Sequence, residues 1–199
     1  MAMTSATQAS SDIAIGAYAG YSLTTGTNHV LIGYKAGYSL TTEAQNVAIG
    51  YKAAENLTDT DNVAIGYYAL QTATTASGNM AIGSGSLQAL TTGDYNMALG
   101  GQSGVNATSG SNNSFIGYGS GAMIIGGSSN VCIGFSSGPT TNQSNMLYIH
   151  NNQSDTPLIF GDFSNLFVTI YGDLRMPDDK KILFGNGLDS SLRWANATS

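Results

Sequence analysis

Apolar positions along this chain come in short bursts separated by polar turns. The burst Asn-Val-Ala-Ile-Gly at Asn46–Gly50 returns at Asn62–Gly66. Variants sit at Asp12–Gly16, His29–Gly33, Asn79–Gly83, Asn96–Gly100, Asn113–Gly117 and Asn130–Gly134. The closing glycines fall at 16, 33, 50, 66, 83, 100, 117 and 134, so six of the seven steps are 17 residues and one is 16. A fixed period of this size is the sequence mark of a solenoid. Each burst is β-branched and alternating, which predicts a strand. On such a strand Val47 and Ile49 share one face, while Ala48 and Gly50 share the other. The larger pair predicts the core ladder. The glycine column predicts a face where another backbone comes close, directed toward a subunit axis.

A second apolar column follows eight residues after each motif Ile or Leu, in the pairs Ile15/Leu23, Ile32/Leu40, Ile49/Leu57, Ile65/Ala73, Ile82/Leu90, Leu99/Ala107 and Ile116/Ile124. This predicts two strands per coil, one strong and one weak, and a flattened two-sided roll. A three-sided hexapeptide helix fails, because Ile49 plus six is Glu55 and plus twelve is Asp61. The extra Ile125-Gly126 stays in register, since Gly117 to Gly134 is still 17. From about Ser136 the pattern changes, with Gly138-Pro139 as the break. Met146–His150, Leu158–Phe160, Phe167–Tyr171 and Lys181–Phe184 then read as strands of a smaller β module. The expected organisation is a linker or attachment segment at 1–11, a repeat shaft at 12–137 and a C-terminal module at 138–199.

Composition narrows the function. Charged residues are 9% of the 199, against about 25% in ordinary globular chains. On a thin rod, so few charges predict that part of the surface is buried against other copies of the chain. The net charge is −6, and no Lys or Arg occurs between Ala53 and Leu174. A nucleic-acid partner needs a basic footprint, so none is expected. The segment 1–11 is polar and reads as no secretory signal. No run approaches a membrane span, so no membrane insertion is expected. Cys132 is the lone cysteine. It fills a position held elsewhere by Ala and reads as a small buried side chain.

At Asn46–Ala53 the run Asn-Val-Ala-Ile-Gly-Tyr-x-Ala resembles the head repeats of trimeric autotransporter adhesins of the YadA type, and the likeness covers roughly Asp12 to Ser137. The resemblance implies a left-handed parallel β-roll assembled as a homotrimer. The later runs Leu147–Ile149, Pro157–Phe163, Val168–Leu174 and Pro177–Gly185 are similar to segments of bacteriophage tail fibres, in particular those of marine and cyanobacterial phages. Together they imply an all-β, homotrimeric structural fibre of a phage or phage-like particle. Its implied partners are itself, other tail, baseplate or capsid proteins of the virion, and a glycan or protein receptor on the host. A fragment of a bacterial trimeric adhesin is the first alternative. An autotransporter needs a signal peptide and a membrane barrel, and neither is read in this sequence. A polysaccharide-degrading phage spike is the second.

Candidate chemistry is sparse. The residues after the motif glycine, Tyr34, Tyr51, Tyr67 and Tyr118 with Phe135 in register, form an aromatic column. Ordinary ladder packing is the default for such a column, with sugar contact as its functional alternative. Tyr34, Tyr51, Tyr67, Tyr118 and Trp194 are therefore the candidate receptor contacts. The Asn column reads as turn amides bonding the backbone or the next coil. Adjacent Thr pairs such as Thr24-Thr25 would point opposite ways on a strand, which argues against an ice-binding face. His29 and His150 lack partners at metal-ligand spacing, and no cofactor is implied. Asp155, Asp162 and Asp173 sit in turn contexts rather than as the opposed pair of a glycosidase, so no enzymatic activity is expected.

Overall fold

A computed structural model describes residues 11–174, and no helix occurs among them. The motif strands come first: β1 (Ile13–Ile15), β2 (Val30–Ile32), β3 (Val47–Ile49), β4 (Val63–Ile65), β5 (Met80–Ile82), β6 (Met97–Leu99), β7 (Ser114–Ile116) and β8 (Val131–Ile133). Each pairs in parallel with the next, and the register carries Val47 onto Val63, Ala48 onto Ala64 and Ile49 onto Ile65. The chain is thus a parallel β-solenoid of about eight turns, each of roughly 17 residues. β9 (Met146–Ile149) adds a further parallel rung. β10 (Ile159–Asp162) and β11 (Phe167–Ile170) then continue the same sheet as an antiparallel meander. The expected strand at Lys181–Phe184 lies outside the described residues.

The two faces of the motif strands are opposite to the sequence expectation. The middle residue points inward: Leu31, Ala48, Ala64, Ala81, Ala98, Phe115, Cys132 and Tyr148 are buried. The flanking Val and Ile residues face out and stay half-buried or exposed. The reason is volume. One short coil encloses little space, and its second side already fills that space with Leu23, Leu40, Leu57, Ala73, Leu90, Ala107 and Ile124, all buried. A small motif residue opposite a large one packs to protein density, and where both are large, as with Leu31 and Leu40, Gly37 beside them makes the room. Exceptions are compensated locally. Phe115 fits because Gly104 and Gly121 flank it, where an added Cβ would overlap its ring. Where the motif residue is Ala64 or Ala81, the core is filled instead by Leu70 and Leu87.

The second side is also not a strand. It is a run of turns with left-handed backbone at Lys52 (φ 56°) and Ala54 (φ 51°). Coil-to-coil hydrogen bonds still hold it, from Gly37 N–H to Ala53 O (3.0 Å) and from Ser39 N–H to Glu55 O (3.1 Å). Backbone pairing is therefore satisfied without β conformation.

The glycine column marks a close approach between successive coils of one chain. Gly66 has φ +140°, and a Cβ there would lie 2.5 Å from the carbonyl oxygen of Gly83 on the next coil. Only glycine fits that turn.

Candidate functional site

Strand register turns the outward residues into one continuous strip. Val47 and Ile49 stack on Val63 and Ile65, then Met80 and Ile82, then Met97 and Leu99. The strip continues through Leu147 and Ile149 of β9, Ile159 of β10, and Val168 and Ile170 of β11. From β1 to β9 every outward position is apolar except Ser114. Nine rungs at about 4.8 Å make a strip on the order of 40 Å long. Contiguous apolar surface on this scale marks an interaction face.

Behind the strip the Asn column forms a buried amide ladder. Asn62 N–H donates to Asn46 Oδ1 (2.9 Å), and the bond repeats from Asn79, Asn96, Asn113 and Asn130 to the coil before. Each Nδ2 donates onward to a turn carbonyl, as Asn96 does to Gly110 (2.8 Å) and Asn113 to Gly127 (2.9 Å). These amides are fully occupied in structure, with no capacity left for a ligand. His29 takes the same place in its coil. Its Nδ1 accepts from Asn46 N–H (3.3 Å), and its Nε2 lies 3.0 Å from Glu43 O.

Three of the four candidate tyrosines come together. Tyr34, Tyr51 and Tyr67 stack at 5.3 Å between successive centroids, nearly parallel. Tyr118 stacks on Phe135 at 5.8 Å. The column is broken between these groups, because Ser84 and Gly101 hold the aromatic position in the two intervening coils. Tyr18, Tyr21, Tyr38 and Tyr68 widen the first group. Stacked neighbours cover much of each ring face there, so packing accounts for part of that ladder. Trp194 lies outside the described residues.

One charge cluster was not singled out from the sequence. Lys35 Nζ (3.2 Å) and Lys52 Nζ (3.3 Å) both reach the largely buried carboxylate of Glu55, which also accepts from Gln71 Nε2 (3.1 Å). Burial alone would raise the Glu55 pKa. The hydrogen bonds from Gln71, Lys35 and Lys52 outweigh it and hold the group below the ordinary value. The signal was available, because Lys35 and Lys52 are one period apart and Glu55 follows at i+3. These are the only Lys or Arg among the described residues, and both are internally paired.

Two carboxylates of the C-terminal part are likewise engaged in structure. Asp155 accepts from the backbone N–H (3.0 Å) and hydroxyl (2.6 Å) of Thr140. Asp162 accepts from Ser164 N–H, Asn165 N–H and Asn165 Nδ2. Both are held below the usual carboxylate range, foremost by the side-chain bonds from Thr140 and Asn165. Burial pushes the Cys132 thiol up to about 12. Among the described residues no group of three or more His, Cys, Asp or Glu could hold a metal ion, and no helix is long and apolar enough to cross a membrane. No family model matches the chain, no curated protein is significantly similar to it, and no solved structure matches it.

Proposed function

We propose that the chain is the shaft of a homotrimeric fibre on a phage or phage-like particle, a left-handed β-roll whose work is reach and host-surface contact. The observation that carries this reading is the outward apolar strip. A sheet with its own core behind it has no reason to keep Val and Ile outside unless another surface covers them. A second and third copy of this chain fit that role. The strip is uncharged, and each rung repeats nearly the same residues, so parallel copies around an axis meet in register. Its two columns differ: Val or Met fills one from β2 to β6 and again at β8, and Ile or Leu fills the other throughout. One protomer's first column can therefore face the next protomer's second column, a head-to-tail contact that closes into a ring. Closure at three is what the resemblance to trimeric adhesin heads implies. The strip crosses from the repeats into β9, β10 and β11, which favours one association face along both parts.

In this reading the fibre is attached to tail, baseplate or capsid proteins, and its exposed tyrosine groups meet a glycan or protein receptor. Two experiments test it. Immunogold labelling of virions with antibody to the chain should decorate a surface appendage. Label on a bacterial envelope, with bare virions, would favour the adhesin reading. Fluorescently labelled full chain should be retained by some strains in a panel of bacteria. Uniform absence of retention would remove the receptor role.

A further inference from the structure

Host contact, as read above, needs a place where a ligand can sit, and most of the rod is flat. One cleft with polar walls lies where the repeat ends. Gly138 leaves the coil path at Pro139 and bridges in parallel to Gln153, and Ser154 N–H donates to Gly138 O (3.2 Å). The crossing chain closes one end of a cleft of about 160 Å³. Its walls are Gln102, Tyr118, Met123, Ser136, Pro139 and Gln153. It lies past the turn glycine, off the outward Val and Ile strip.

The chemistry of the walls is specific. The Tyr118 hydroxyl donates to Gln102 Oε1 (2.8 Å), which commits that oxygen and leaves the Gln102 Nε2 donor without a partner among the described residues. Gln153 Nε2 donates to Pro139 O (3.2 Å), which leaves its Oε1 to accept. One free amide donor, one free amide acceptor and the Ser136 hydroxyl thus line the same cleft as the apolar surfaces of Tyr118, Met123 and Pro139. A ligand matching this set must both donate and accept along its edge and present an apolar face. No Asp, Glu, His, Lys or Arg lines the cleft, so an anionic or cationic ligand would find no charged partner. The volume is below that of sites for drug-sized ligands, which run from about 300 Å³. It suits one ring rather than a long oligomer.

We propose that this cleft binds a single uncharged hexopyranose unit of a host-surface glycan. Tyr118 supports the ring face, and Gln102, Ser136 and Gln153 bond its hydroxyls. The proposal rests on the host-contact reading and adds the ligand class and the site.

Saturation-transfer NMR on the full chain tests it, with the methyl glycosides of glucose, galactose and mannose and with methyl glucuronide as the charged comparison. At least one neutral glycoside should take up saturation. Y118A and Q153A should each weaken its binding about tenfold, the loss expected for one good contact. Y95A, at an exposed side chain outside the cleft lining, should leave it unchanged. A variant counts only if its thermal melt matches the parent, and the Gln153 side chain is exposed, so its truncation leaves no cavity in the core. No uptake by any neutral glycoside, a stronger signal from the glucuronide, or a loss in Y95A but not in Y118A overturns the proposal. Light scattering on the same samples separates the two readings. A trimer without glycoside signal removes the cleft alone, and a monomer that binds removes the trimer alone.

Discussion

The inner and outer faces of the motif strands obey different rules. Inside, Ala48, Ala64, Ala81 and Ala98 are small and fully buried. Outside, Val and Ile are large and remain partly open. A globular sheet puts its bulk inward. This one puts bulk outward at most coils, because a coil of about 17 residues encloses little volume and two large inward residues need a glycine beside them, as Gly37 and Gly121 show. The large residues on the outer wall complete a core only when another surface closes over them.

Charge placed on each face breaks the comparison most sharply. A81D buries a carboxylate with no partner and should cost several kcal/mol, seen as loss of the cooperative thermal transition. I82K, one residue further on, points outward and should keep the strand signal in circular dichroism while disrupting association. If both variants unfold alike, the faces are not distinct.

The close approach of successive coils ranks next. G66A forces a Cβ against the backbone of Gly83 in a left-handed region, and a loss of about 2–4 kcal/mol is expected. Chemical denaturation measures it. Somewhat less is expected at the amide ladder. N96A strips the acceptor from Asn113 N–H and the donor from Gly110 O, which should cost about 2–3 kcal/mol.

The smallest effect is electrostatic. The Glu55 pKa is lower folded than its ordinary 4.5. Its contribution is therefore present above about pH 4.5 and is lost as pH falls through the folded value. Asp155 and Asp162 act in the same direction from 3.8. Lys35 is raised above 10.5 through its bond to Glu55, so its share is lost only as pH rises past that raised value. Melting temperature should be flat from about pH 5 to 10 and fall below about pH 4. E55Q should flatten part of the acid slope at a cost of about 1 kcal/mol or less, since solvent screens the cluster.

Periodicity made the solenoid legible, because each coil meets only its neighbours and pairs with residues one period away. The Leu column was legible for the same reason. The inward face was not. Alternation separates Val47 and Ile49 from Ala48, but it does not say which set the coil encloses. That depends on the volume left by the opposite wall, and the pairing of Gly104 and Gly121 with Phe115 shows how locally it is set. The turn conformation of the second side was hidden because apolar spacing does not report backbone dihedrals. The aromatic column was visible as a period of 17, whereas the cleft beside Tyr118 depends on a chain crossing between Gly138 and Gln153 that no repeat encodes.

The central claim is that the outer face is an interface between copies of this chain. Light scattering of the full chain tests it most directly. The account predicts a mass three times the 20.5 kDa of one chain, falling to that of one chain in I82K with the strand signal retained. A parent protein that runs as a folded, soluble 20.5 kDa monomer would contradict it.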